Sequence, residues 1–150
     1  MHFNTFALSV FATLLNASAI PRDVSPANQS LGLGEWDGPE YDCRGSIMCT
    51  TVRVKDCDRA VNSKLIRSDE VNYGSVESKR PHVGVCHGLG TDFGCAITIE
   101  GNSECVKSGN EIWWDYQEIR NNGCHHCGHK FWGDGCKTTI DYTPECHRVY

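Results

Sequence analysis

The stretch SGNEIWWDYQEIRNNGCHHCG, residues 108–128, combines a complete helix signal with two closely spaced cysteines. Ser108 and Glu111 have the spacing of a capping box, which satisfies the first backbone N–H groups of a helix. The apolar stripe that follows consists of Ile112, Tyr116 and Ile119. Asn122-Gly123 supplies a left-handed stop. We therefore predict a helix over 109–122 that ends directly before Cys124.

A second helix and three strands are predicted from periodicity. Apolar residues spaced three and four apart predict a helix over 51–65, although the β-branched residues at its start would also suit a strand. Its stripe consists of Val54, Cys57, Val61 and Leu65. Strict alternation predicts strands over 95–100 and 137–142, and 82–87 is a partner strand joined to the first of these by the turn 88–92. The order of elements predicts an α+β fold, a two-layer sandwich with two helices packed on a mainly antiparallel sheet.

Ten cysteines, all after residue 42, are the strongest compositional feature of the chain. An even number in an oxidising compartment predicts five disulfides. The cysteines are Cys43, Cys49, Cys57, Cys86, Cys95, Cys105, Cys124, Cys127, Cys136 and Cys146. Cys124-His125-His126-Cys127 also has ligand types that could bind zinc, but a second ligand pair at matching spacing is missing from the sequence, so disulfides are favoured over a metal.

The N-terminus predicts export. Residues 3–15 are apolar or small, and Ala17-Ser18-Ala19 offers the small residues of a signal-peptidase site, so 1–19 is interpreted as a signal peptide. We interpret 20–40 as a flexible leader carrying a glycosylation sequon at Asn28. Residues 41–150 then form the disulfide-rich domain of a secreted, extracellular protein.

Charge and motifs limit the classes of function. The net charge of −5 argues against nucleic acid as a partner, and no apolar stretch is long enough to span a membrane. We predict a monomer without cofactor or metal.

Histidines and carboxylates leave a small secreted hydrolase, such as a ribonuclease, as an alternative, but no motif of a catalytic centre is present. The prediction is therefore a protein without catalytic residues.

Three segments resemble landmarks of the KP-four-type fungal killer toxins. They are Tyr41-Asp42-Cys43-Arg44-Gly45-Ser46 followed by Cys49, the stretch 121–128, and Thr138-Thr139-Ile140-Asp141-Tyr142. The resemblance covers roughly residues 41 to 143. It implies an α+β sandwich with five disulfides and no catalytic centre. It also implies that Cys43 pairs with Cys124 and Cys49 with Cys127, while the other six cysteines can pair in fifteen ways.

The same resemblance implies a toxin that inhibits the growth of competing or host cells by binding a membrane protein, such as a calcium channel. The position of a lysine implicated in that family corresponds here to Gly84. Lys79 and Arg80 are the nearest basic pair, and we expect them to form the interaction patch, with a solvated basic turn or a dibasic processing site as alternatives. A second hypothesis is an effector that binds a host protein or wall polymer without toxicity.

Overall fold

The computed structural model describes residues 40–89 and 93–149. The strands are β1 (Glu40–Asp42), β2 (Tyr73–Gly74), β3 (Gly84–Leu89), β4 (Phe93–Glu100), β5 (Val106–Lys107), β6 (Gly128–Phe131) and β7 (Lys137–Thr143). Helix α1 spans Val54–Ser63 and helix α2 spans Gly109–Asn121. Five strands form one antiparallel sheet in the order β1-β6-β7-β4-β3, and β2 pairs with β5. The predicted α+β class is confirmed.

Four sequence predictions fall partly or wholly outside the described residues. They are the signal peptide 1–19, the flexible leader 20–40 apart from its last residue, the sequon at Asn28 and the tip of the turn at 90–92. Glu40, which we assigned to the leader, is the first residue of β1 and pairs with Phe131 of β6.

Helix α2 follows its sequence signal closely. The Ser108 hydroxyl accepts a hydrogen bond from the Glu111 backbone N–H, and the Glu111 carboxylate accepts one from the Ser108 N–H at 2.7 Å. The helix ends before Gly123, whose φ of +88° is the left-handed conformation expected of a stop. The apolar stripe is buried against the sheet.

Helix α1 is shorter than predicted. It begins at Val54, because Cys49–Thr51 form a separate 3-10 turn and Arg53 at the cap is extended. The β-branched residues before the helix therefore decide its start. Val54 is 38% exposed rather than buried, whereas the other stripe residues, Cys57, Val61 and Leu65, belong to the core.

Both helices pack on the same face of the sheet and enclose one main core. Cys95, Ile97 and Ile99 of β4 and Ile140 of β7 belong to this core, and Tyr142 of β7 packs against it, as the alternation predicts. Ala96 and Thr139, which the alternation places on the other face, are buried as well, so these strands are covered on both faces there. Strand β6 was not predicted, because its four residues Gly128–Phe131 do not alternate clearly. A smaller cluster lies on the outer face, where Cys86 and Ala96 pack against Cys146 and Val149 of the C-terminal segment.

A buried charged network joins α2 to the sheet. Asp115 is 2% exposed and pairs with Lys107 of β5 and with Lys130 of β6 at 2.6 Å. Lys130 also pairs with Glu118, which accepts a hydrogen bond from the Tyr41 hydroxyl at 2.9 Å. Hydrogen bonding to Lys130 is the main cause that lowers the pKa of Glu118. The two lysine ammonium groups and the two carboxylates thus neutralise each other's charge between α2 and the strands.

Five disulfides connect the elements, as the cysteine count predicts. The pairs are Cys43–Cys124, Cys49–Cys127, Cys57–Cys95, Cys86–Cys146 and Cys105–Cys136. The first two are the pairs that the resemblance implied. The Cys57–Cys95 bond ties α1 to β4, and the Cys86–Cys146 bond ties the C-terminal segment to β3.

Candidate binding surface

The loop between Cys43 and Cys49 is anchored at both ends. Cys43 is bonded to Cys124 and Cys49 to Cys127, so both ends of the loop are tied to the segment that follows α2. Ile47 at its tip is 96% exposed. A fully exposed isoleucine on a doubly anchored loop presents apolar area with little conformational freedom left to lose on binding.

The interior of this loop is held by one carboxylate. Asp141 of β7 accepts hydrogen bonds from the Ser46 backbone N–H at 2.7 Å and from the Ser46 hydroxyl at 2.9 Å. At its C-terminal end the loop continues into the 3-10 turn Cys49–Thr51, and Thr51 lines a cavity. We call the loop 44–48 together with this cavity the candidate binding surface.

The cavity has a volume of about 220 Å³ and a mainly apolar lining. It lies where the 3-10 turn, the start of α1 and the ends of β3, β4 and β7 meet. Its lining residues are Thr51, Val52, Arg53, Asp56, Gly88, Phe93, Gly94, Cys95 and Tyr142. The rings of Phe93 and Tyr142 stand 6.4 Å apart at an angle of 31°, and Phe93 is 43% exposed. A phenylalanine exposed beside a cavity is typical of a surface that a partner covers.

One wall of the cavity is polar. Asp56 is 7% exposed, and its Oδ2 accepts a hydrogen bond from Nε of Arg53 at 2.6 Å. Its Oδ1 lies 3.7 Å from Nδ1 of His87, which is beyond hydrogen-bond distance. Nδ1 of His87 is buried and has no hydrogen-bond partner in the part of the chain that the structure describes. This incomplete pairing is unusual for buried polar atoms.

The predicted interaction patch lies elsewhere. Lys79 and Arg80 are exposed and precede the start of β3, whereas the cavity lies at the far end of the β3–β4 pair. Gly84 begins β3, and a Cβ at this position would lie 2.0 Å from the Ile97 carbonyl oxygen. The backbone contact therefore leaves no room for a side chain at position 84.

The described histidines occupy separate environments. His82 packs on Tyr73, His126 Nδ1 lies 2.8 Å from the Val52 carbonyl oxygen, and His129 Nδ1 lies 3.0 Å from the Thr139 hydroxyl. Burial and the neighbouring Lys137 lower the pKa of His129. His125 and His147 are exposed.

A group of three potential metal ligands coincides with a disulfide. Sulfurs of Cys49 and Cys127 and the carboxylate of Asp141 lie within 4.8 Å of one another. Because the two sulfurs are bonded to each other, they do not offer the thiolates that a metal would need. The carboxylate is already used by Ser46.

Comparison with known proteins identifies a family. The model of MU117, described as a meiotically up-regulated gene family, matches residues 41–146. The chain belongs to the MU117 family. The match includes all ten cysteines of this MU117 protein. No curated protein and no solved structure matches the chain significantly.

The family match corrects the resemblance to killer toxins, which is wrong. The three landmarks are short, and each meets a local need that unrelated proteins share. Asn122-Gly123 ends a helix, and the cysteine pairs close disulfides around it. Such motifs indicate how a chain is cross-linked by disulfides and where a helix ends, but they do not identify its family.

Two broader properties of the MU117 protein follow from the structure. No helix in residues 40–89 or 93–149 is both long and apolar enough to cross a membrane. Five disulfides in one small domain are typical of proteins that mature in an oxidising, extracellular or secretory environment.

Proposed function

We propose that this MU117 protein is secreted and binds another protein outside the cell without catalysing a reaction. The observation that carries the proposal is the exposed Ile47 on a loop that is anchored by two disulfides and continues, through Cys49–Thr51, into the lining of an aromatic-walled cavity. The proposal replaces the predicted patch at Lys79 and Arg80 by a different surface.

Export is supported by two independent features of the sequence. Residues 3–15 and Ala17-Ser18-Ala19 have the pattern of a signal peptide. The paired cysteines need an oxidising compartment to form and persist.

Binding is supported by the combination of apolar exposure and rigidity. Side chains that dominate binding energy are typically apolar or aromatic, preorganised and clustered with pockets. Ile47, Met48 and Phe93 are exposed by 96%, 41% and 43%. Disulfides hold the segments next to these residues, so little conformational entropy is lost when a partner binds.

A role in binding rather than catalysis is supported by the distribution of titratable groups. In the described residues, His82, His126 and His129 each contact a different part of the fold. The His87 side chain lies near Asp56 and is 23% exposed, but its Nδ1 atom is buried. A hydrolase would need an acid, a base and a substrate position within mutual reach.

The effect of binding on the other cell is a separate question from binding itself. Growth inhibition of a competing or host cell, through an ion channel or another membrane protein, is one consequence to test. The other is attachment without toxicity, as an effector would show.

The decisive experiment compares Ile47→Asp with the matched control Val76→Asp. Val76 is 81% exposed in a 3-10 turn before Lys79, outside the candidate binding surface. The labelled, oxidised protein is applied to intact fungal and plant cells, untreated, digested with protease, or digested with wall glycanases, and growth is recorded in parallel.

We expect Ile47→Asp to weaken cell binding by at least about tenfold, because a charge replaces an anchor that a partner desolvates. Val76→Asp should bind like the wild type, and protease treatment of the cells should abolish binding. Equal binding by both variants would remove the loop from the function. Binding that is lost only after glycanase treatment would establish a wall polymer as the partner instead.

A further inference from the structure

The cavity of the candidate binding surface has a size that restricts its occupant. A dry cavity of roughly 150 Å³ suffices for benzene, whereas sites for drug-sized ligands begin near about 300 Å³. At about 220 Å³, the cavity has room for one substituted ring. Because the lining is apolar except for one polar wall, the ring that complements it has one polar end.

The polar wall indicates what that end must be. Asp56 has one carboxylate oxygen paired with Arg53 and the other 3.7 Å from Nδ1 of His87. That second oxygen can accept a hydrogen bond that the described residues do not provide. A hydroxyl is the fitting donor, because it can also accept a hydrogen bond from an N–H group of the Arg53 guanidinium, which lines the cavity as well.

The number of polar groups favours a phenol over a sugar. A sugar ring has hydroxyls around its circumference, and each one buried without a partner is costly. Besides the Tyr142 hydroxyl, the lining contains three polar side chains, those of Thr51, Arg53 and Asp56. The remaining lining consists of apolar side chains, a disulfide-bonded cysteine and glycine backbone. A phenol needs only one polar contact.

The aromatic walls favour the same ligand. Phe93 and Tyr142 are inclined by 31°, so a third ring can contact both at an offset or edge-to-face angle. Covering Phe93 would remove a large exposed apolar side chain from water.

We propose that the cavity binds the phenol ring of a tyrosine presented by the partner protein, with the hydroxyl donating to Asp56. This inference rests on the proposed function and names the chemistry by which the partner is recognised. Phe93 and Tyr142 contact the ring, and Arg53 positions the Asp56 carboxylate.

The test uses the oxidised full chain and three small probes: p-cresol, toluene and methyl glucoside. Two-dimensional NMR titration measures the affinity of each probe and the residues whose signals shift. We expect saturable shifts around the cavity with p-cresol, about ten- to a hundredfold weaker binding of toluene, which lacks the hydroxyl, and no shifts with the glucoside.

Phe93→Ala should weaken p-cresol binding several-fold. The matched control is Trp114→Ala, which removes an aromatic side chain that is 59% exposed on α2 and should change nothing. Asp56→Asn should reduce the preference for p-cresol over toluene. If that variant does not fold, the ratio of the p-cresol affinity to the toluene affinity of the wild type still tests the role of the carboxylate.

Equal affinity for p-cresol and toluene would overturn the role of the carboxylate, and tighter binding of the glucoside would establish a sugar site. Absence of cavity shifts with every probe would overturn the inference as a whole. None of these results touches the comparison of Ile47→Asp with Val76→Asp on cells, so failure of the inference and failure of the proposed function are distinguishable.

Discussion

Tyr116 shows how one buried residue acquires unusual chemistry in this fold. It is 1% exposed, and its hydroxyl donates a hydrogen bond to Asp58 of α1 at 2.7 Å. The Arg120 guanidinium lies over its ring at 4.9 Å. Burial is the main cause that raises the pKa of Tyr116 to about 12, and the hydrogen bond to Asp58 adds to it.

We predict that Tyr116 ionises far above an ordinary tyrosine in an alkaline titration. A folded pKa of about 12 against 10.0 for a free side chain means that the folded state holds this proton more tightly. The resulting stability is fully present below pH 10 and is lost as the pH rises towards 12. Burial also raises the pKa of Tyr41 and Tyr73, so the late part of the tyrosinate absorbance curve should lose amplitude in Tyr116→Phe rather than vanish.

The matched comparison for this titration is Trp114→Phe, an aromatic replacement at an exposed position of the same helix that removes no hydroxyl and should leave the late amplitude unchanged. If Tyr116→Phe and the wild type have identical titration curves up to pH 12, the hydroxyl is not held as described.

Among the elements, α2 depends on more than its apolar stripe. Asp115 lies one residue before Tyr116 on the buried side of α2, where periodicity alone would favour an apolar side chain. Lys107 of β5 and Lys130 of β6 approach it from two strands. Lys107 also lies over the Trp132 ring at 4.2 Å. The helix is therefore fixed to the sheet by direction-specific contacts as well as by packing.

We predict that Asp115→Asn destabilises the fold by about 3 to 5 kcal/mol, because two largely buried ammonium groups lose their shared carboxylate. The free energy of unfolding in urea, measured under oxidising conditions, checks this. Glu104→Gln, an exposed change of the same kind near β5, is the control and should stay within about 0.5 kcal/mol of the wild type. A similar small loss in both variants would contradict the network.

At the scale of the whole molecule, disulfides lie on both faces of the sheet. Cys57–Cys95 connects α1 to β4 inside the main core, and Cys95 lines the cavity. Cys86–Cys146 belongs to the separate cluster on the outer face. The two bonds should therefore be separable in their effect on binding, although both restrict the unfolded chain.

We predict that the double alanine replacement of Cys57 and Cys95 costs about 2 to 5 kcal/mol and abolishes p-cresol binding. The same replacement of Cys86 and Cys146 should cost a similar amount but leave p-cresol binding intact. Urea unfolding and the NMR titration measure both effects. Loss of probe binding in both variants would show that the cavity depends on general stability rather than on its own wall.

The local features of this protein could be predicted from its sequence. The capping box at Ser108, the stop at Gly123, the alternation in β4 and β7 and the number of disulfides follow from signals a few residues long. The shift of α1 and the unpredicted β6 show the limit of such signals, because competing propensities or a very short strand leave no clear period.

The location of the candidate binding surface depends on contacts between residues that are distant in the chain. Ile47, Asp56, Phe93 and Tyr142 are far apart in the chain and carry no shared motif, so no pattern marks them as neighbours. Strand order and the start of α1 place Asp56, Phe93 and Tyr142 around one cavity, and the anchored loop that carries Ile47 continues into its lining at Thr51. Lys79 and Arg80, which were selected as the basic pair nearest to the lysine position that the resemblance implied, lie at the other end of the sheet. The physical reason is that local structure depends on adjacent residues, whereas a binding surface depends on which distant residues the core brings together.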